Sequence, residues 1–220
     1  MIESHFVLRD RKIDVQMAFG IDMDAVKVQL AQQDARDQRL GHVEFRTGDA
    51  AALDANSEYD LVYARLLLTH LNDPEATLRR MIAAVEPGGV VVVEDLEHSA
   101  VFVYPKCPAL DRYVGLYSDL AGRCGGDPDI GPKLPGLIRR CGLDDIDLCL
   151  TQPVFLDGPA KRIHQVTLEN VKESLLVTSV ATAEEITSLA GELEVYADAP
   201  GTIVAFPRIF QVHGRRTRGG

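Results

Sequence analysis

The stretch AFGIDMDAVKVQL, residues 18–30, decides how the rest of the sequence is interpreted. An apolar run ends at Asp22, and a segment with helical spacing of apolar residues, Val28 among them, follows at once. Asp24 stands where the N-cap of that helix is expected. A buried strand that ends in an acid and leads into a helix is typical of α/β proteins that bind nucleotides at the carboxyl ends of their strands.

Strand-like and helix-like patterns alternate over the next seventy residues. Short apolar runs predict strands at 43–46, 59–64 and 90–96. A helix is predicted within 72–89, with Asp73 as its cap, Pro74 at its first position and Pro87-Gly88-Gly89 as its terminator. Strand–helix–strand units of this kind predict right-handed crossovers. The fold class is therefore α/β: a Rossmann-like, mostly parallel sheet with helices on both faces.

The second half of the chain is organised differently. Helical spacing predicts helices within 108–126, 132–143, 167–180 and 182–197. A strand with one buried face is predicted over 146–156, and 202–214 predicts a strand pair or one bent strand. Because no linker-like composition separates the halves, we expect one domain over residues 1–220.

Composition excludes several functional classes. The chain has 220 residues, 46% of them hydrophobic and 25% charged, with a formal net charge of −10. This charge argues against a nucleic-acid partner, since phosphate binding needs clustered Lys and Arg. No apolar stretch reaches the roughly 20 residues that cross a bilayer, so no membrane association is expected. The four cysteines lack metal-site spacing, which predicts reduced thiols in a cytoplasmic protein without a bound metal.

Four stretches resemble, in order and spacing, the class I S-adenosylmethionine-dependent methyltransferases. They are GIDMD, RTGDA, YDLVYARLLLTHLNDP and EPGGVVVVEDLE, and they lie within residues 18–98. The later stretches GGDPDIGPKLPGLIRRCGL and FPRIFQVHGRR resemble the C-terminal half of members that act on small molecules. The resemblance implies a cofactor-binding half at 18–98, and substrate-cover helices with C-terminal strands, one of them antiparallel, at 99–220.

The resemblance also implies a set of residues that bind S-adenosyl-L-methionine. Asp22 would accept hydrogen bonds from the two ribose hydroxyls, and Met23 would lie against the adenine face. Asp49 would accept from the adenine amino group, and the backbone N–H of Ala50 would approach the ring. Arg65 would lie near the amino-acid end of the cofactor. Simpler structural roles also fit: a helix cap for Asp22, core filling for Met23, an Asx turn for Asp49 and a surface ion pair for Arg65.

No catalytic residue can be assigned from the sequence. The implied reaction is attack by an oxygen, nitrogen or carbon atom of a small molecule on the sulfonium methyl group. His70 could act as a base, although a histidine in an apolar segment is more often a packed residue. Other candidates end the 90–96 strand, where the fold faces its substrate; they are Glu94, Asp95, Glu97 and His98.

The sequence departs from the family at its N-terminal end. The family's first strand leads into a G-x-G-x-G loop, whereas the first glycine here is Gly20. Three explanations stay open: a piece of an N-terminally truncated methyltransferase, a degenerate relative, or a central strand rebuilt by N-terminal residues such as SHFVL, residues 4–8. We expect adenosine contacts to persist without a closed pocket for the amino-acid end. Unpaired strand edges would favour oligomers, such as a homodimer, unless residues 5–19 cover them.

Two other functional classes remain open at this point. A nicotinamide-dependent dehydrogenase would also place an acid after its second strand, but it needs a G-x-G-x-x-G loop and lacks the RTGDA and EPGG stretches. A non-catalytic binding or regulatory protein built on the methyltransferase fold is the stronger alternative, because it accounts for the missing loop.

Overall fold

The computed structural model describes residues 16–54 and 56–217. By its internal contacts the chain divides into two compact units, Met1–Leu53 and Asp54–Gly220. The predictions made for residues 1–15, including a rebuilt strand in SHFVL, lie outside the described residues. No helix in the described part of the chain is long and apolar enough to cross a membrane.

The described part of the smaller unit is one strand–helix–strand segment followed by a short turn. Its elements are β1 (Ala18–Asp22), α1 (Ala25–Asp37), β2 (Val43–Thr47) and a 3-10 turn (Ala50–Ala52). The two strands are parallel, and Gly20 lies opposite Phe45. A Cβ atom at position 20 would lie 2.5 Å from the Phe45 ring. Glycine is therefore required where β1 passes this aromatic side chain.

Helix α1 begins as the sequence predicts and ends earlier. The Asp24 carboxylate accepts hydrogen bonds from the backbone N–H groups of Val26 at 2.9 Å and Lys27 at 3.3 Å, so the predicted cap is confirmed. The helix was expected to run to Gly41, but it ends at Asp37. Arg39 then takes a left-handed conformation with φ of 59°.

In its described residues, the larger unit has a four-stranded sheet, a three-stranded sheet and five α-helices. The elements are β3 (Tyr59–Arg65), α2 (Pro74–Ala84), β4 (Val85–Glu97), β5 (Val103–Tyr104), α3 (Pro108–Arg123), α4 (Leu134–Arg140), β6 (Leu143–Thr151), β7 (Val154–Phe155), α5 (Ile163–Val177), α6 (Ala183–Asp198), β8 (Ile203–Ala205) and β9 (Arg208–Arg216). The larger sheet has the order β3-β4-β9-β6. Strands β3 and β4 are parallel, and β9 is antiparallel to both β4 and β6. The predicted α/β class and the antiparallel C-terminal strand are confirmed, in a mixed sheet that combines the parallel pair β3–β4 with the antiparallel pairs β4–β9 and β9–β6.

Helix α2 shows both a confirmed start and a corrected end. Asp73 accepts from the Ala76 N–H at 2.9 Å, and Pro74 is the first helical residue, as predicted. The helix ends at Ala84, however, and Val85 already belongs to β4. A residue that precedes proline is biased toward an extended backbone, and Pro87 imposes that bias on Glu86. The chain is extended from Val85 onward, two residues before the predicted terminator Pro87.

Two hydrophobic cores stabilise the larger unit. The first joins α2 and α4 to the four-stranded sheet, and its fully buried members include Leu78, Val91, Val93, Leu134, Ile138 and Val212. The second joins α3, α5 and α6, and it includes Leu110, Tyr113, Leu116, Leu168, Leu175 and Ile186. Removing this much apolar surface from water is the main stabilising term of such a fold.

Strand β6 corrects one prediction. Its apolar face was expected to be buried, but Leu148 and Leu150 are 45% and 51% exposed. Leu143 and Ile146 do pack against the first core. Helix α4 has seven residues and spans about 10 Å, whereas the nine-residue β6 spans about 30 Å. The helix therefore covers only the first part of the strand.

Candidate functional site

In the smaller unit, Asp22 and Asp49 lie at one edge of the sheet. Asp22 is the last residue of β1, and Asp49 follows β2 after Gly48. Because the two strands are parallel, both carboxyl ends meet at the same edge. The Gly48 N–H donates to the Asp22 carbonyl oxygen at 3.0 Å, which ties the two loops together. The structure thus brings the two predicted carboxylates onto adjacent loops.

Each of these carboxylates already supports its own turn. Asp22 Oδ1 accepts from the Asp24 N–H at 2.8 Å, and Asp49 Oδ1 accepts from the Ala51 N–H at 2.8 Å. The second contact is the predicted Asx turn, while the helix cap belongs to Asp24 rather than Asp22. A carboxylate has about four lone-pair sites, so one backbone bond leaves capacity for a ligand. Both side chains are exposed at this edge.

Met23 and Ala50 flank the same two loops. Met23 is 71% exposed, so its thioether does not fill a core. Ala50 is half-buried at the start of the 3-10 turn that Asp49 caps. Four of the five predicted cofactor residues are therefore neighbours at the carboxyl edge of β1 and β2.

A cavity of about 470 Å³ lies elsewhere in the smaller unit. It is lined by residues around the end of α1 and the start of β2, including Leu40, Val43 and Phe45. Val43 begins β2, whereas Asp49 follows the other end of that strand. None of the predicted cofactor residues lines this cavity.

In the larger unit, Arg65 ends β3 and pairs with an acid on the neighbouring strand. Its Nε lies 2.8 Å from Oε1 of Glu94, which is buried in β4. The Gln211 side chain donates to the other oxygen, Oε2, at 3.0 Å. Arg65 therefore pairs with a buried carboxylate, whereas the structural role foreseen for it was an ion pair on the surface. A role for Arg65 toward the cofactor stays a prediction.

Asp95, the next residue along β4, links two loops from a fully buried position. Its carboxylate accepts from the backbone N–H groups of Thr69 and Leu96, each at 3.1 Å. The Thr69 hydroxyl in turn donates to the Asp127 carbonyl at 2.9 Å. Burial raises the pKa of Asp95 to about 6, so a proton on this group is retained well above the usual range for an aspartate.

His98 follows β4 directly and is 3% exposed. Its ring stacks on Tyr117 with centroids 4.1 Å apart, and it meets the edge of Tyr113 at 5.5 Å. Both tyrosines belong to α3, and the Tyr113 ring lies 5.4 Å from that of His164 in α5. Burial lowers the pKa of His98 to about 4, and that of His164 likewise, so both imidazoles are neutral at pH 7.

The base candidates His70 and Glu97 lie in surroundings unlike those of His98. His70 is exposed in a 3-10 turn after β3. Glu97 accepts from Arg208 at 3.0 Å. Tyr113 and Tyr117 lie within the helix predicted at 108–126, and neither was a site candidate. Their i, i+4 spacing in α3 was the available signal that both rings share one face.

The four cysteines are free thiols. Cys107 and Cys141 are buried thiols, and Cys124 and Cys149 are exposed thiols, with no disulfide among them. In the described residues, no group of three or more His, Cys, Asp or Glu side chains is arranged to hold a metal ion.

Comparison with known proteins identifies the family. A family model described as a methyltransferase domain matches residues 4–118, just over half of the chain. The chain also shares its fold with the YcgJ protein of Bacillus subtilis at a TM-score of 0.58 and 15% identity, covering 93% of this chain and 84% of that one. A putative methyltransferase from Bacillus halodurans gives 0.58 at 13% identity, covering 90% and 82%. The chain belongs to the class I S-adenosylmethionine-dependent methyltransferase family.

Two curated relatives match shorter segments. Methyltransferase str2 of Strobilurus tenacellus is 28% identical over 116 residues, which is 52% of this chain and 40% of that protein. The ubiquinone biosynthesis O-methyltransferase of Rhodopseudomonas palustris is 32% identical over 80 residues, or 36% of this chain and 31% of that protein. The matched segments thus amount to less than half the length of either relative.

Proposed function

We propose that this chain carries out S-adenosyl-L-methionine-dependent methyl transfer to a small-molecule acceptor. The observation that carries the proposal is the pair of carboxylates, Asp22 and Asp49, on adjacent hydrogen-bonded loops at the carboxyl edge of β1 and β2. Ligands of open α/β sheets bind at this edge. Membership of the methyltransferase family supports the nature of the ligand.

The residues at this edge fit the adenosine part of the cofactor. Asp22 accepts from the two ribose hydroxyls with the lone pairs that its backbone contact leaves over. Asp49 accepts from the adenine amino group, and the Ala50 N–H faces the ring. The exposed thioether of Met23 packs on the adenine face, because soft sulfur atoms favour aromatic surfaces. The bound cofactor supplies an electrophilic methyl group; the protein aligns the acceptor with it and excludes water.

The finer features of the proposal concern the acceptor and the assembly. A small-molecule oxygen acceptor is supported by the printed name of the Rhodopseudomonas relative, an O-methyltransferase. The four free thiols support a cytoplasmic location for a single methyltransferase-like domain. A homodimer is supported by β6, an edge strand on which Leu148 and Leu150 are exposed.

Isothermal titration with S-adenosylhomocysteine tests the proposal. We expect Asp22→Ala and Asp49→Ala each to raise Kd roughly 10- to 150-fold, because a hydrogen bond to a charged group is worth about 1.5–3 kcal/mol. The matched control is Asp37→Ala, which removes a carboxylate from the last residue of α1 and should leave Kd unchanged.

Two results would contradict the proposal in different ways. An unchanged Kd in the Asp22 and Asp49 variants would remove the adenosine subsite from this edge. The absence of any binding at millimolar S-adenosylhomocysteine would favour the alternative, a non-catalytic protein built on the same fold.

A further inference from the structure

A buried nitrogen atom in the larger unit lacks a hydrogen-bond partner within the part of the chain that the structure describes. Nε2 of His98 is inaccessible to solvent and has no hydrogen-bond partner among the described residues. Leaving a buried polar group unpaired costs about 1–3 kcal/mol, so such groups are rare in folded proteins and need an explanation. A partner that is present only when a ligand binds is one such explanation.

His164 provides an internal control for this reasoning. It belongs to the same aromatic cluster, it is equally buried, and burial lowers its pKa to the same value of about 4. Its Nε2 nevertheless lies 3.0 Å from the Ala205 carbonyl oxygen, so its hydrogen-bonding capacity is used within the fold. The cluster can therefore satisfy a buried imidazole, and the unpaired nitrogen is specific to His98.

The position of His98 indicates where such a ligand would lie. The residue follows β4 at the carboxyl end of the strand, the end at which α/β sheets bind ligands. Tyr117 stacks on the imidazole and is only half-buried. The ring of Tyr117 therefore separates the imidazole from solvent. Rotation of this side chain would open a path to Nε2 between aromatic faces, which suit a planar apolar molecule.

We propose, on the basis of the proposed methyl transfer, that the larger unit binds a hydroxylated aromatic acceptor beside His98. The hydroxyl group of the acceptor forms a hydrogen bond with His98 Nε2, and its ring packs against the ring of Tyr117 once that side chain has rotated.

The first test uses phenol as the probe and protein labelled with ¹⁵N in its histidine rings. The Nε2 resonance of His98 is assigned by its loss in His98→Phe. Phenol should shift this resonance toward the value of a hydrogen-bonded nitrogen, with S-adenosylhomocysteine present, and should leave the Nε2 resonance of His164 unchanged. If phenol leaves the His98 resonance unchanged, the proposal is wrong. Once the resonance is assigned, this measurement uses only the wild-type protein.

The second test separates a ligand-binding role from a structural one. His98→Phe keeps an aromatic ring in the stack and removes the unpaired nitrogen, so we expect Tm to rise by about 2–4 °C while phenol affinity falls at least tenfold. His164→Phe should lower Tm, because the Ala205 carbonyl then loses its partner. A fall in Tm for His98→Phe as large as that for His164→Phe would overturn the proposal.

The outcomes also separate the two proposals from each other. If S-adenosylhomocysteine binds and phenol leaves His98 unchanged, the acceptor subsite is wrong and the proposed function stands. If phenol shifts the His98 resonance and S-adenosylhomocysteine does not bind, the subsite stands and methyl transfer does not. Should His98→Phe fail to fold, His98→Gln provides the assignment.

Discussion

The two units of this chain differ in where they keep their polar chemistry. Among the described residues of the smaller unit, the buried hydrophobic side chains are those of Val28 and Ala35. The carboxylates of Asp22 and Asp49 are exposed. In the larger unit, two hydrophobic cores surround buried ionisable groups, including Asp95 and His98. Among the described residues, every buried ionisable side chain belongs to the larger unit.

This difference matches two kinds of chemical work. An exposed carboxylate with unused lone pairs can accept hydrogen bonds from a ligand without first losing a partner. A buried imidazole or carboxyl group instead has its pKa shifted by desolvation toward the neutral form of the group. We infer that the smaller unit holds the cofactor's adenosine.

The largest expected effect sharpens the contrast in packing. Leu78 of α2 is 0% exposed in the first core, so Leu78→Ala should lower the free energy of unfolding by about 2–5 kcal/mol. Leu30 of α1 is 62% exposed, and Leu30→Ala should change it by no more than about 0.5 kcal/mol. Urea denaturation of both variants measures this difference. Equal losses would show that α1 is packed as tightly as α2, and would break the comparison.

The next effect concerns pH. The folded chain holds His98 and His164 neutral down to about pH 4, whereas the unfolded chain protonates them near 6.5. The contribution of these two imidazoles to the free energy of unfolding is therefore fully present above pH 6.5 and is lost as pH falls toward 4. The loss is at most about 3 kcal/mol for each imidazole. Urea denaturation across this range should show unfolding free energy falling with acidification.

Asp95 changes the free energy of unfolding in the opposite direction over an overlapping pH range. Its folded pKa of about 6 lies above the value of 3.8 for an ordinary aspartate, so its stabilising term is present below pH 3.8 and is lost as pH rises through 6. Asp95→Asn removes this term and should make the rise in stability between pH 4 and 6.5 steeper. A flatter profile in Asp95→Asn would contradict the burial of a protonated carboxyl group.

The smallest effect compares two glycines. A Cβ at Gly89 would lie 2.5 Å from Val85 Cγ1 and 2.7 Å from the Asp60 carbonyl oxygen. Gly89→Ala should therefore cost about 1–3 kcal/mol through overpacking. A Cβ at Gly41, in the smaller unit, meets no atom within 4 Å, so Gly41→Ala should leave Tm nearly unchanged. Thermal denaturation of the two variants measures these changes. A lower Tm in Gly41→Ala alone would contradict the expected order.

Local sequence signals predicted the elements that local chemistry controls. Asp73 and Pro74 marked the start of α2, and Asp24 marked the start of α1, because caps act within one turn. The placement of Asp22 and Asp49 at one sheet edge followed from two parallel strands, each ending in a polar loop. These features need no knowledge of distant contacts.

Features set by tertiary contacts could not be predicted in the same way. The exposure of Leu148 and Leu150 depends on the short length of α4 relative to β6. The unpaired nitrogen of His98 depends on how the rings of Tyr117 and Tyr113 pack in the folded chain. No periodicity in the sequence encodes a contact between the end of a strand and a helix that begins ten residues later.

The measurement that tests the central claim most directly is hydrogen exchange by mass spectrometry with and without S-adenosylhomocysteine. The account predicts slower exchange in peptides that cover residues 18–26 and 43–53, because the ligand would bind the loops that carry Asp22 and Asp49. This protection should disappear in Asp22→Ala and persist in Asp37→Ala. Binding that leaves both peptides unprotected, while peptides of the larger unit slow down, would contradict the claim that the smaller unit holds the adenosine.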